Sequence, residues 1–144
     1  MAGHLLKAGH AVRIFSRTRA KVEALIAAGA EWADSPAAAA EGADVAFAMV
    51  AFPKDVEEVF LGTKGFLAAK HPPKIVVDMG TSPPGLTRRI AEAAAAKGVG
   101  ALDAPVSGGD IGARNATLSI MVGGEVRDFE AVKPLFEFLG KTIV

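Results

Sequence analysis

The chain is expected to be an α/β fold built on a doubly wound, mostly parallel sheet. Three observations predict this. Short apolar runs alternate with helical patterns from one end to the other, the order that right-handed crossovers between parallel strands produce. Two of the runs, DVAFAMV at 44–50 and KIVVD at 74–78, are almost continuously apolar, as strands covered on both faces are. Glycine or proline punctuates most junctions between the patterns, so the breaks fall between elements and not within them.

Taken in order, residues 1–8 (MAGHLLKA) form a short amphipathic helix stopped by Gly9. No Ser, Thr, Asp or Asn precedes it as a cap. Residues 11–15 (AVRIF) are a strand. Residues 17–28 are a helix that turns Val22, Leu25 and Ile26 inward and ends before Gly29. Residues 30–33 make a short strand, and Ser35 caps a brief alanine-rich helix opened by Pro36. The strand at 44–50 leads to a helix at 53–61 with Val56, Val59 and Phe60 inward, then a helical turn at 65–69. The strand at 74–78 leads to a helix at 83–97, with Leu86, Ile90, Ala93 and Ala94 at helical spacing and Gly98 after it. Residues 99–103 are a strand whose exit Pro105 stiffens. A glycine-broken loop follows, then TLSIMV at 117–122, alternating with period two and stopped by Gly123-Gly124. A helix at 129–139 containing Pro134 and a strand at 141–144 complete the chain. Trp32 and the phenylalanines read as core. No linker or repeat divides residues 1–144, which read as one domain.

Composition excludes several roles. A hydrophobic content of 51% is far above that of a disordered chain. Sixteen basic residues balance sixteen acidic ones, so no net field recruits nucleic acid or an anionic membrane. With no cysteine there is neither a disulfide nor a thiolate metal site. His4, His10 and His71 lack ligand spacing, so no metal is expected. No apolar run approaches the ~20 residues of a membrane span, and the start lacks a signal-peptide pattern. A cytoplasmic setting is expected.

In an open parallel sheet, ligands gather at the carboxyl ends of the strands. Here those ends carry Ser16-Arg17-Thr18, Val50-Ala51-Phe52-Pro53, Gly80-Thr81-Ser82 and the stretch from Ala104 to Gly109. In a Rossmann-type sheet an acid usually ends the second strand and holds the adenosine ribose. Arg17 stands there instead, with Arg19 and Lys21 close by. A guanidinium matches a 2′-phosphate through paired donors, which favours NADP over NAD; the same residues also describe a solvated basic first turn. The loop Ser107-Gly108-Gly109 fits two roles, a nest for a carboxylate or phosphate and a plain glycine-rich connection. The G-x-G-x-x-G fingerprint of a dinucleotide site does not occur in the sequence.

Read together, the pieces MAGHLLKAGH, SRT, SPAAAAEGADV, DVEEVFLG, VVDMGTSPP, LDAPVSGG, TLSIMVGG and PLFEFLGK resemble the nucleotide-binding domain of the β-hydroxyacid dehydrogenases, the group of 3-hydroxyisobutyrate dehydrogenase and tartronate semialdehyde reductase. They run in family order from end to end, and LDAPVSGG with TLSIMVGG is the specific part. The resemblance implies hydride transfer between NADP (or NAD) and a small β-hydroxy acid. It implies that Val50, Ala51 and Thr81 contact the cofactor beside Arg17 and Thr18, and that Ser107, Gly108 and Gly109 hold the substrate carboxylate. It further implies a sheet lacking its first strand, which would precede Met1. Beyond Val144 it implies a helical domain bearing the general acid/base lysine and the oligomer contacts. Residues 11–15 and 44–50 would then lack a shared neighbour and expose unpaired backbone. Departures are Gly80 where Ser or Thr is usual, Ala51 for Pro, Asp110 for an apolar residue and Ala116 for Gly. Asp110 would repel a carboxylate unless it pairs with Arg114. Two other roles stay open: a non-catalytic nucleotide- or acid-binding module, and a different oxidoreductase such as an imine reductase. Ser107-Gly108-Gly109 speaks against the second.

Overall fold

The apolar runs that predict buried strands form the centre of the sheet in a computed structural model, which describes all 144 residues. The elements are α1 (Ala2–Lys7), β1 (Arg13–Ile14), a 3-10 turn (Arg19–Val22), α2 (Glu23–Ala27), β2 (Glu31–Trp32), α3 (Pro36–Ala40), β3 (Val45–Ala48) and α4 (Pro53–Leu61). A second 3-10 turn (Phe66–Ala68), β4 (Ile75–Asp78), α5 (Pro84–Ala95), β5 (Gly100–Asp103), β6 (Val106–Ser107) and α6 (Gly109–Asn115) follow. The chain continues through β7 (Leu118–Ile120), β8 (Gly123–Gly124), α7 (Val126–Phe136) and β9 (Gly140–Ile143).

β3, β4 and β5 are parallel neighbours, with β8 antiparallel on the outer edge of β5. Side chains alternate between two cores, as the pleat requires. Ala46, Ala48 and Val76 face one side, against Val56 and Phe60 of α4 and Leu86, Ile90 and Ala94 of α5. Ile75, Val77 and Leu102 face the other, against Val132 and Phe136 of α7 and Leu118 and Ile120 of β7. Met1 and Leu5 pack on the rim of this second core. Both faces are covered, so the doubly wound α/β class holds. Each fully buried Phe or Leu side chain contributes about 1.5–3 kcal/mol, and these facing cores hold the strands level.

The sheet is not continuous. β1 pairs only with β2, and β6, β7 and β9 form a third ladder. No ladder joins β1 to β3, in keeping with the expected unpaired edges. Pro105 ends pairing with the central sheet, and beyond it β6 pairs antiparallel with β7, which in turn pairs parallel with β9.

Four local expectations are corrected. The helix expected at 17–28 begins two residues later as a 3-10 turn, because Thr18 is extended and its side chain makes no cap. Residues 109–115 form α6 where a loop was expected; an Asp110–Arg114 ion pair of 2.9 Å spans one turn of it. The last helix runs over Val126–Phe136, the register that buries Asp128, Val132 and Phe136 at intervals of four, and it keeps Pro134 inside. Phe52 and Phe138 are 67% and 42% exposed, so they are not core.

Candidate functional site

β3, β4 and β5 end level. Ala48 pairs with Asp78, and Asp78 with Asp103. Parallel pairing therefore sends three connections off one edge of the sheet: Val50-Ala51 after β3, Gly80-Thr81 after β4, and Ser107 four residues past Asp103.

The β4 connection is shaped by a buried carboxylate. Asp78, 4% exposed, accepts from the Gly80 amide at 2.9 Å and from the Ser82 hydroxyl at 2.5 Å. These bonds close a tight turn and leave Thr81 exposed between them. A Cβ on Gly80 would stand 3.0 Å from the Val50 carbonyl oxygen. The β3 and β4 connections thus run close together, and a side chain at Gly80 would crowd the Val50 carbonyl and the Asp78 carboxylate.

Ser107 ends β6 opposite Ser119 and is exposed. Gly108 and Gly109 follow at φ +131° and +61°, conformations that an L side chain rarely adopts. The glycine pair is therefore required by the turn into α6, whatever it binds. Asp110 is paired with Arg114, which answers the condition set by its charge.

Arg17 lies in the bend after β1 and forks onto Asp55 in the first turn of α4, with contacts of 2.9 and 3.0 Å. This pair ties the β1 connection to the helix that follows β3. Thr18 is exposed next to it. The basic cluster seen in the sequence divides here, because Arg19 lies over the Trp32 ring at 5.1 Å. Asp55 was not singled out from sequence. Its signal was an acid in a first turn opened by Pro53.

A second carboxylate was also missed. Asp103 shares a cavity of about 210 Å³ with Asp78, Thr87, Gly123 and Gly124. Burial, and then the neighbouring Asp78 charge, push the Asp103 carboxyl above its usual range. Its Oδ1 and the Thr87 Oγ1 are buried without partners. A larger opening of about 340 Å³ lies between α1 and α6, where His4 meets the Ala113 carbonyl oxygen at 2.9 Å. None of the rim residues Arg17, Val50, Ala51, Thr81 or Ser107 lines that opening.

Residues 1–144 match the family described as the NAD binding domain of 6-phosphogluconate dehydrogenase. The chain belongs to that family. Among its relatives, 3-hydroxyisobutyrate dehydrogenase of Pseudomonas aeruginosa is 44% identical over 143 residues, 99% of this chain and 48% of that protein. The 2-hydroxy-3-oxopropionate reductase of Escherichia coli is 43% identical over 143 residues, 99% of this chain and 49% of its own length. The solved structure of Psf3 in complex with NADP+ and 2-OPP matches with a TM-score of 0.89 and 32% identity, covering 98% of this chain and 50% of that one. The chain spans about half the length of the curated relatives it matches. The β-hydroxyacid dehydrogenase resemblance holds from end to end. The cofactor class of this NAD-binding domain is a nicotinamide dinucleotide, NADP or NAD. On the rim, Gly80 leaves room beside the Val50 carbonyl oxygen that a side chain would take, and Arg17 and Thr81 are exposed. No helix is long and apolar enough to cross a membrane.

Proposed function

We propose that this NAD-binding domain serves a cytosolic, oligomeric oxidoreductase that transfers a hydride reversibly between NADP and a small β-hydroxy acid, of the 3-hydroxyisobutyrate or glycerate type. NAD is the weaker alternative. The observation that carries the proposal is the common level of Ala48, Asp78 and Asp103, which sends the Val50, Thr81 and Ser107 connections off one edge.

The nicotinamide ring, when bound, gives or takes the hydride at its C4. Val50 and Ala51 supply a flat apolar wall against the cofactor. The Thr81 hydroxyl, held outward by the Asp78 turn, bonds near the nicotinamide ribose. Arg17 and Thr18 face the adenosine end. Ser107, Gly108 and Gly109 receive the substrate carboxylate through a hydroxyl and inward-turned amides. Moving the hydroxyl proton needs a general acid/base, worth about 10²–10⁴ in rate. Lys133 lies within α7 and Lys141 within β9, and neither is proposed for it. The resemblance assigns it to a lysine beyond Val144, so the residues of this domain are proposed to bind and orient the reactants.

Calorimetric titration of the chain with NADP and with NAD tests the cofactor reading. NADP is expected to bind more tightly. Thr81→Ala should weaken both by roughly five- to tenfold, the size of one lost hydrogen bond. Equal binding of the two cofactors, or no effect at Thr81, would contradict the assignment. Ser107→Ala should leave cofactor affinity intact and abolish the added binding of 3-hydroxyisobutyrate.

A further inference from the structure

We propose that Asp55 limits the NADP preference that Arg17 gives this domain, by competing with the adenosine 2′-phosphate for the guanidinium. The inference rests on the proposal that Arg17 faces the adenosine end of the cofactor.

The two partners are held unequally. The Asp55 side chain is 14% exposed and that of Arg17 is 73% exposed. Asp55 sits in the first turn of α4, where helix amides favour a carboxylate, and α4 is anchored by buried Val56 and Phe60. The acid is therefore the fixed partner, and the guanidinium reaches across to it from the β1 connection.

The contact engages Nη1 and Nη2 together, each on its own carboxylate oxygen. A phosphate takes the same fork when it binds arginine in the bidentate mode. A 2′-phosphate must then displace Asp55, or use the remaining edge of Arg17 beside a like charge. Both routes lower NADP affinity. The 2′-hydroxyl of NAD carries no charge and meets neither obstacle. No acid ends β1 in the sequence Ser16-Arg17-Thr18. Asp55 brings a carboxylate to the Arg17 guanidinium from another element.

The test measures NADP and NAD affinities of the parent chain, Asp55→Asn, Arg17→Ala and the double variant by calorimetry. Circular dichroism checks that each is folded. Asp55→Asn should raise the ratio of NADP to NAD affinity about five- to tenfold at ~0.1 M salt, with most of the gain screened out at ~1 M. Arg17→Ala should lower the ratio, and adding Asp55→Asn to it should restore nothing. Asp55→Ser is measured in parallel, with the same expectation, so that a folding defect in one variant leaves the outcome readable. A ratio unchanged or lowered in both Asp55 variants, while Arg17→Ala still lowers it, overturns the competition and leaves the cofactor reading standing. An Arg17→Ala ratio equal to the parent's, or no binding of either cofactor, removes the adenosine-end reading and this inference with it.

Discussion

Asp78 and Asp103 are direct Cα partners at the ends of β4 and β5, and they line one cavity. Their solvation differs. Asp78 accepts two hydrogen bonds, whereas Asp103 leaves Oδ1 buried and unpartnered. Burial, with the Asp78 charge behind it, raises the Asp103 pKa. A raised folded pKa means that the folded chain keeps a proton the unfolded chain releases. Stability therefore falls as pH climbs from the unfolded carboxylate value of about 3.9 through the higher folded one. Asp103→Asn removes the charge and should stabilise the chain at pH 7, because a neutral amide escapes both the desolvation of a charge and the repulsion of Asp78. The advantage should shrink as the pH is lowered toward ~4 and Asp103 takes up a proton. Urea melts at both pH values check this; an advantage independent of pH would assign the effect to packing.

Ser82 donates to the buried oxygen Oδ2 of Asp78. Ser82→Ala removes that donor and leaves a carboxylate oxygen short of a partner at a site 4% exposed. The expected cost is about 1.5–3 kcal/mol, the range for hydrogen bonds to charged groups. Chemical denaturation reads it directly. A cost below ~0.5 kcal/mol would mean that water replaces the hydroxyl.

Ala116 closes α6 in the left-handed region at φ 54°, ψ 42°, and it is the only non-glycine residue with positive φ. An alanine there costs roughly 1–2 kcal/mol. A glycine gives back about 0.5–1 kcal/mol of that through its larger unfolded-state freedom. Ala116→Gly should still stabilise by about 0.5–1 kcal/mol, seen as a higher urea midpoint at unchanged slope. The sequence pointed to this turn through its departure from glycine, and the conformation supplies the physical reason.

What the sequence made legible was whatever depends on local periodicity. β3 and β4 announce themselves as apolar runs, and α4 and α5 through inward residues at helical spacing, because both faces of the sheet are covered. α6 was hidden: its two glycines argue for a loop, and no local pattern encodes the Leu118 side chain that would crowd a Cβ at Gly108 or Gly112. The site divides in the same way. Thr81 and Ser107 could be found because strand ends can be counted. The Arg17–Asp55 fork joins residues 38 positions apart, and the Asp78–Asp103 pair depends on register. Side-chain reach and strand register are properties of the folded sheet, and they are what the linear pattern omits.

The split between the β1–β2 ladder and the central sheet has a measurable consequence. The amides of Met79 and Ala104 bond to Ala48 and Asp78 at 2.9 and 2.7 Å, and those of Glu31 and Ala33 bond to Val12 and Ile14 at 2.9 and 3.0 Å. Bond lengths this similar give no reason for unequal protection. The surroundings do. β4 is buried at every position between two cores, whereas neither β1 nor β2 has a fully buried residue. No strand hydrogen bond links the two ladders, so β1–β2 can open without disturbing β4. Native-state exchange should therefore place Met79 and Ala104 among the last amides to exchange. Glu31 and Ala33 should exchange on the order of a hundredfold faster, through a local opening insensitive to low urea. Equal rates in both groups, rising together with urea, would mean that packing of α3 against β1 alone makes one cooperative unit of the two ladders.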